Sequence, residues 1–170
     1  KITLIRSDGT NLTELRDGSH PTWSPTYDRL AYVRPPVVLS DTQRTISTTI
    51  GILTFDRATG IKSDVVLCSF ADLDHVLMLN WSPDGENLLI NVKTKDDPGG
   101  IYRIKTDGSQ KTPDFIISGP SPIWTPDSRS IIYSHFYVLY LLGLEKDSKP
   151  LPLTQQNLYM MYFTPASIAP

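Results

Sequence analysis

The chain has 170 residues, of which 39% are hydrophobic and 20% are charged, and its net charge is −2. These values are typical of one soluble globular domain. The lysines and arginines are scattered and form no basic run, so we expect no nucleic-acid partner. The single Cys68 excludes an internal disulfide and a cysteine-based zinc site, and we expect it to be a small buried side chain.

Residues 1–15 show no succession typical of a signal peptide. The most apolar stretch, FYVLYLLGL at 136–144, is too short for a membrane helix of roughly 20 residues. We therefore expect no membrane-spanning segment, while the compartment stays unknown at this stage.

One pattern recurs along the chain: an aromatic residue, Ser or Thr, Pro and a polar pair, followed by an apolar run. It occurs as PTWSPTYDRLAYV at 21–33, LNWSPDGENLLINV at 79–92 and PIWTPDSRSIIYS at 122–134, and in truncated form as YFTPAS at 162–167. The repeat residues are Trp23, Pro25, Trp81, Pro83, Asp84, Gly85, Trp124, Pro126, Asp127, Phe163 and Pro165.

Each copy predicts a strand, a tight turn and a second strand. Ser82 and Pro83 suit the first two positions of a type I turn, and Gly85 tolerates the positive φ that often closes one. Tyr27 occupies the position of Gly85 in the first copy, where a positive φ would be strained, so we expect another turn geometry there.

Between the copies lie further pairs of apolar runs joined by turns, such as YRIKTDGSQKTPDFII at 102–117. Two hairpins per repeat make a four-stranded antiparallel unit, whose strands we label A to D. Such units bury their apolar faces only by stacking radially, which predicts an all-β propeller with about three and a half blades. We expect the three tryptophans to be buried between successive sheets.

The expected division is a single propeller segment over 1–170, part of a larger ring. Its parts are a C–D hairpin at 1–18, blades at 19–70, 71–118 and 119–157, and the A strand of a further blade at 158–170.

The frame Pro-x-Trp-Ser-Pro-Asp-Gly, with its following strands, resembles the repeat of TolB-type β-propellers, which is also WD-like. Similar repeats occur in the propellers of prolyl-oligopeptidase-type and tricorn-like peptidases. The resemblance implies six to eight blades, a periplasmic or extracellular location and protein partners. A four-bladed ring remains an alternative.

Antiparallel alternation places the B–C and D-to-A connections on one face, the loop face, and the A–B and C–D turns on the other, the turn face. An insertion at 34–49 lengthens the first B–C connection. Because loops on a rigid scaffold carry most binding residues, we expect protein contacts on the loop face. The candidates are Arg34, Val38, Leu39, Asp41, Arg44, His75 and Lys95.

No catalytic motif is found in the sequence: no Gly-x-Ser-x-Gly leads into a helix, and the three histidines have no metalloprotease spacing. We expect neither catalytic residues nor a cofactor. A weaker possibility is calcium bound by Asp72, Asp74, Asp96 and Asp97, although they match no metal motif.

The leading hypothesis is a non-enzymatic protein-binding or scaffold module, whose partner is another protein, the remaining blades or another subunit. One alternative is a propeller that gates or regulates a serine peptidase domain outside this chain. The other is a ligand- or metal-binding propeller.

Overall fold

The computed structural model describes residues 1–38, 46–56, 60–71, 75–94 and 99–155. In these ranges the chain forms strands and turns without a helix. The strands, β1 to β15 in chain order, are Ile2–Leu4, Thr13–Arg16, Ser19–Trp23, Arg29–Val33, Val37–Val38, Ile46–Asp56, Gly60–Ala71, His75–Trp81, Asn87–Lys93, Gly100–Lys105, Asp114–Ser118, Ile123–Trp124, Ser130–His135, Val138–Gly143 and Leu151–Pro152.

The strands form one hairpin and three larger antiparallel sheets. Strands β1 and β2 pair with each other, β8 to β11 pair in chain order, and so do β12 to β15. The remaining sheet has the succession β3, β4, β6 and β7, with β5 also paired to β6. We call these units the N-terminal hairpin and, along the chain, blades 1, 2 and 3. The four-stranded antiparallel blades confirm the predicted β-propeller fold.

The core lies between successive sheets, because strand alternation sends side chains to both faces of each blade. Strand β9 illustrates this: Leu88 and Ile90 pack in the cluster shared with blade 1, whereas Leu89 packs in the cluster shared with blade 3. A third cluster joins Ile2 of the N-terminal hairpin to Tyr32 of blade 1. Each blade is therefore stabilised by its neighbours.

The tryptophans end the A strands of the three blades, and two of them are buried as predicted. Trp81 is 6% exposed and Trp124 is 9% exposed. The prediction is wrong for Trp23, which is 49% exposed. Its ring contacts Phe55 of its own blade at a centroid distance of 5.1 Å. Burial of this position requires the A strand of a preceding blade, and the N-terminal hairpin supplies none in the described part of the chain.

The predicted insertion at 34–49 is in part a continuation of the sheet rather than a plain loop. Val37 and Val38 pair with Ser47 and Ile46, respectively, on the edge of β6 that β4 occupies further along. Strands β6 and β7 are 11 and 12 residues long, whereas the C and D strands of blade 2 have 6 and 5. Blade 1 is therefore the enlarged blade.

The repeated turns differ as the sequence predicts. Gly85 has φ of 74° and donates its N–H to the Ser82 carbonyl at 2.8 Å, and Ser128 repeats this with φ of 61° and a 3.0 Å bond to Thr125. Tyr27 does not adopt a positive φ; its N–H instead donates to the Ser24 hydroxyl. This confirms the different geometry expected for the first copy.

Candidate functional site

The loop face of blade 1 carries two open cavities that share a wall. The first, of about 590 Å³, is lined by Arg16, Asp17, Tyr32, Arg34, Pro35, Val37, Thr49 and Val66. The second, of about 440 Å³, is lined by Gly18, Ser19, His20, Val33, Arg34, Pro35, Pro36, Thr48, His75 and Val76. Arg34 and Pro35 stand between them. The D-to-A and B–C connections therefore meet here, as the antiparallel topology requires.

A polar cluster of four residues adjoins the first cavity, and three of them, Arg16, Tyr32 and Arg34, line it. Asp64 of β7 accepts from Arg34 and from the Tyr32 hydroxyl, and it also pairs with Arg16 of the N-terminal hairpin. Arg16 also donates to the Tyr32 hydroxyl at 3.1 Å. We call Arg16, Tyr32, Arg34 and Asp64 the Arg–Asp cluster. It joins the hairpin to blade 1 and holds both guanidinium groups in place.

The Arg–Asp cluster is partly shielded from water. The Asp64 side chain is 14% exposed, and the Arg34 guanidinium lies over the Tyr32 ring at 5.9 Å from its centroid. Ion pairs at such depth are screened less than surface pairs, and loss of one partner leaves a costly unpaired charge. Within the described residues, two arginines share this one carboxylate.

Gly51 makes room for this arrangement. A Cβ at Gly51 would lie 2.7 Å from Arg34 Nε and 2.7 Å from Tyr32 Cε1. Real side chains do not approach so closely, so any larger residue would displace Arg34 or the tyrosine ring. Arg34 can therefore occupy this position because residue 51, in the neighbouring strand β6, is a glycine.

The second cavity brings together two histidines from successive A strands. His20 lies in β3 and His75 begins β8, and both line the cavity with Arg34. His20 has φ of 52°, which is uncommon for a residue other than glycine, and its Nδ1 lies 3.0 Å from the Ser19 hydroxyl. The cavity therefore has polar groups on both sides of the gap between blades 1 and 2.

A different feature of the loop face is the aromatic tip of blade 3. Phe136 and Tyr137 form the two-residue connection between His135 and Val138, which are paired. Both have positive φ, 45° and 64°, and they are 74% and 97% exposed. Two-residue hairpins of this kind favour Asn-Gly, so an aromatic pair here is strained. An additional open cavity adjoins them beside Pro120.

The structure brings together two of the predicted contact residues, Arg34 and His75, in the second cavity. Val38 lies in β5, although its side chain is outside the described part. The other predicted contacts and the calcium candidates lie outside the described residues, as do two of the repeat residues: Leu39, Asp41, Arg44, Lys95, Asp72, Asp74, Asp96, Asp97, Phe163 and Pro165. Among the residues that are described, no cluster of three or more His, Cys, Asp or Glu side chains forms a metal site.

The sequence did not single out Arg16, Tyr32, Asp64 or the aromatic pair. Arg16, Tyr32 and Asp64 lie in strands β2, β4 and β7, and their contact depends on how two sheets stack. The sequence carried one weak indication of the aromatic pair in blade 3. Phe136 and Tyr137 occupy a two-residue connection, which normally selects Asn-Gly.

Other chemistry is restricted by burial. Cys68 is buried, as expected, and that burial raises the pKa of its thiol to about 12. Thiolate is the reactive form of cysteine, so Cys68 is poorly suited to nucleophilic chemistry.

No described segment forms a helix with the length and hydropathy needed to span a lipid bilayer.

These blades and their stacking define a β-propeller, and solved structures agree with that class. TolB from Acinetobacter baumannii matches with a TM-score of 0.60 and 20% identity over 91% of this chain and 37% of that one. A Lactobacillus plantarum protein matches with a TM-score of 0.50 and 15% identity over 90% of this chain and 49% of that one. The chain therefore has a TolB-like propeller fold and spans less than half the length of these two proteins.

Sequence comparison adds no narrower assignment. No protein-family model matches the chain. No curated protein matches it either.

Proposed function

We propose that this chain is a TolB-like, non-enzymatic module that binds a protein partner through the loop face of blade 1. The observation that carries the proposal is the enlargement of that blade. Strands β5, β6 and β7 extend the sheet beside two cavities that share Arg34 and Pro35. Variable connections on a rigid sheet are the usual location of binding residues in such scaffolds.

The lining of the two cavities suits a polypeptide. Apolar side chains such as Val37 and Val66 stand beside guanidinium groups in the first cavity, and Val33 and Val76 stand beside histidines in the second. Protein interfaces combine an apolar centre with polar groups at its rim in this way. Val37 is also exposed, so a partner can reach it.

We also propose that the three blades and the hairpin form one segment of a larger ring. Apolar side chains are exposed at both ends of the row of sheets, including Trp23 beside the hairpin and Leu151 in the last described strand. Large exposed apolar groups at the end of a stack favour packing against further blades. Those blades belong to the same polypeptide or to another subunit.

Site-specific photo-crosslinking tests the binding face. A photoreactive phenylalanine analogue placed at Val37 reports on the loop face. The same analogue at Ile61 is a matched control, because Ile61 is an exposed apolar residue of blade 1 near the turn face. We expect the Val37 position to label one discrete protein, identified by mass spectrometry and displaced by unlabelled chain. Equal labelling from both positions would contradict the proposal.

A further inference from the structure

We infer that the Arg–Asp cluster is a carboxylate-recognition site and that the partner segment seated in the first cavity is acidic. The inference rests on the proposed function and adds the chemistry of the partner. It concerns the guanidinium groups of Arg16 and Arg34, which stand on the wall of that cavity.

Charge within the Arg–Asp cluster is unbalanced. Two guanidinium groups contact one carboxylate, Asp64, so the three side chains together keep one positive charge. Each guanidinium has five N–H donors in a planar fork, which fits a carboxylate with two parallel bonds. A second carboxylate from a ligand would satisfy donors that a single Asp64 cannot use.

Arg34 is held in one position before any ligand binds. Asp64 holds one edge of its guanidinium, Tyr32 lies under it, and Gly51 leaves the space that its Nε occupies. A cation whose rotamer is locked by such contacts loses little conformational entropy on binding. A surface arginine without these supports would bind a carboxylate weakly and without preferred geometry.

The lining of the first cavity indicates which kind of ligand fits it. The first cavity is open and mixes Pro35, Val37 and Val66 with the arginines, and it shares Arg34 and Pro35 with the second cavity. A free inorganic anion gains nothing from contact with apolar side chains. An extended peptide with an acidic side chain can contact both the arginines and the apolar lining. Asp17 also lines the first cavity, and a carboxylate in that position opposes the binding of an acidic ligand.

The test uses NMR titration of the full chain with two capped peptides and one small anion. The probes are acetyl-Gly-Glu-Gly-Glu-Gly-amide, its Gln analogue and inorganic phosphate, and the signals followed are the arginine side-chain Nε–Hε resonances. We expect the Glu peptide to shift the Arg34 resonance saturably in the millimolar range. The Gln peptide and phosphate should leave it nearly unchanged.

Two variants of the site and a control sharpen the result. Arg34→Lys keeps the charge but removes the fork, and we expect affinity to fall about tenfold, measured in this variant by the Arg16 Nε–Hε resonance. Asp17→Asn removes the opposing carboxylate and should raise affinity about twofold to fivefold, with no effect on the cluster itself. Arg103→Lys is the matched control, because Arg103 also pairs with an aspartate, Asp114, but on blade 2. It should bind like the parent chain.

Each outcome has a defined meaning. No saturable response to the Glu peptide, or an equal response to the Gln peptide, would overturn the carboxylate site. Phosphate binding as strong as that of the Glu peptide would overturn the assignment to a polypeptide. Crosslinking from Val37 to a protein partner that persists undiminished in Arg34→Lys would leave the proposed function standing while contradicting this inference.

Discussion

The indole nitrogen of Trp81 donates a hydrogen bond to the backbone carbonyl of Thr22 at 3.0 Å, across the gap between blades 1 and 2. Trp124 repeats the relationship with the carbonyl of Asn80 at 3.1 Å, across the gap between blades 2 and 3. Thr22 and Asn80 each precede the tryptophan of their own blade. The repeated tryptophan therefore contributes both apolar area and a defined polar contact to the A strand of the blade before it.

Replacing Trp81 or Trp124 with phenylalanine should lower the free energy of unfolding by about 1–3 kcal/mol, because a buried hydrogen bond and part of a buried ring are lost. Trp23→Phe is the control and should cost less than about 1 kcal/mol, since its ring is half exposed. Urea denaturation followed by circular dichroism measures all three. Equal losses at the three positions would contradict the stacking role.

Gly85 lies at a further contact between blades 1 and 2. Its φ of 74° is strained for other residues, and an added Cβ would also collide with the Thr26 hydroxyl of blade 1. Gly108 has φ of 81°, but a Cβ there would meet only the Lys111 Nζ, at 4.0 Å. Gly108→Ala should therefore cost only the backbone term, about 1–2 kcal/mol, and Gly85→Ala clearly more. Thermal and urea unfolding would test this, and equal costs would show that the contact between the turns is unimportant.

The blade pattern was predictable because its determinants are local. Ser-Pro-Asp-Gly dictates a turn through the preferences of each residue, and the apolar runs on either side dictate strands. The burial of Trp23 was predicted wrongly because burial depends on the neighbouring sheet, which the repeat pattern does not specify. The position of Trp23 at the end of an A strand was predicted correctly, but its buried environment was not.

The candidate site was less predictable for a related reason. Arg34 was found because it follows a predicted strand and starts a long connection. Its partner Arg16 in the Arg–Asp cluster comes from the N-terminal hairpin, and its partner Asp64 comes from β7 of blade 1. Their meeting in that cluster therefore depends on strand register and on the stacking of the sheets. A single sequence carries no direct record of such long-range contacts.

The turn aspartates should make the fold sensitive to acid. Burial raises the pKa of Asp84, but hydrogen bonds from Ser82, the Glu86 N–H and Ser128 outweigh it, so the pKa lies below its ordinary value. At Asp127 the hydrogen bond from Thr125 is the main cause of the same lowering. A lowered folded-state pKa gives stability that is present above the unfolded-state pKa and is lost as pH falls through the folded-state value.

Asp84→Asn tests this dependence. The parent chain should be more stable than the variant by a constant amount at neutral pH, because the carboxylate is fully ionised there. The difference should shrink below about pH 4, where aspartate begins to protonate. Urea unfolding at a series of pH values measures it. A difference that stays the same from pH 7 to pH 3 would show that the ionised carboxylate is not the stabilising form.

The aromatic tip of blade 3 provides a test that separates stability from binding. Phe136 and Tyr137 have positive φ and are largely exposed, so they impose backbone strain without a compensating buried contact in the described structure. Such strain is retained most often where a side chain serves a function. We expect this pair to contact the same partner as blade 1, since both lie on the loop face.

The double substitution Phe136→Asn with Tyr137→Gly should therefore raise the free energy of unfolding by about 1–3 kcal/mol, because Asn-Gly adopts this turn without strain. The same change should reduce the yield of the crosslink formed from Val37, since exposed aromatic residues contribute strongly to protein interfaces. The single substitution Asp107→Asn alters a turn on the opposite face and should leave that yield unchanged. A stabilised double variant with full crosslinking would show that the aromatic tip lies outside the contact surface.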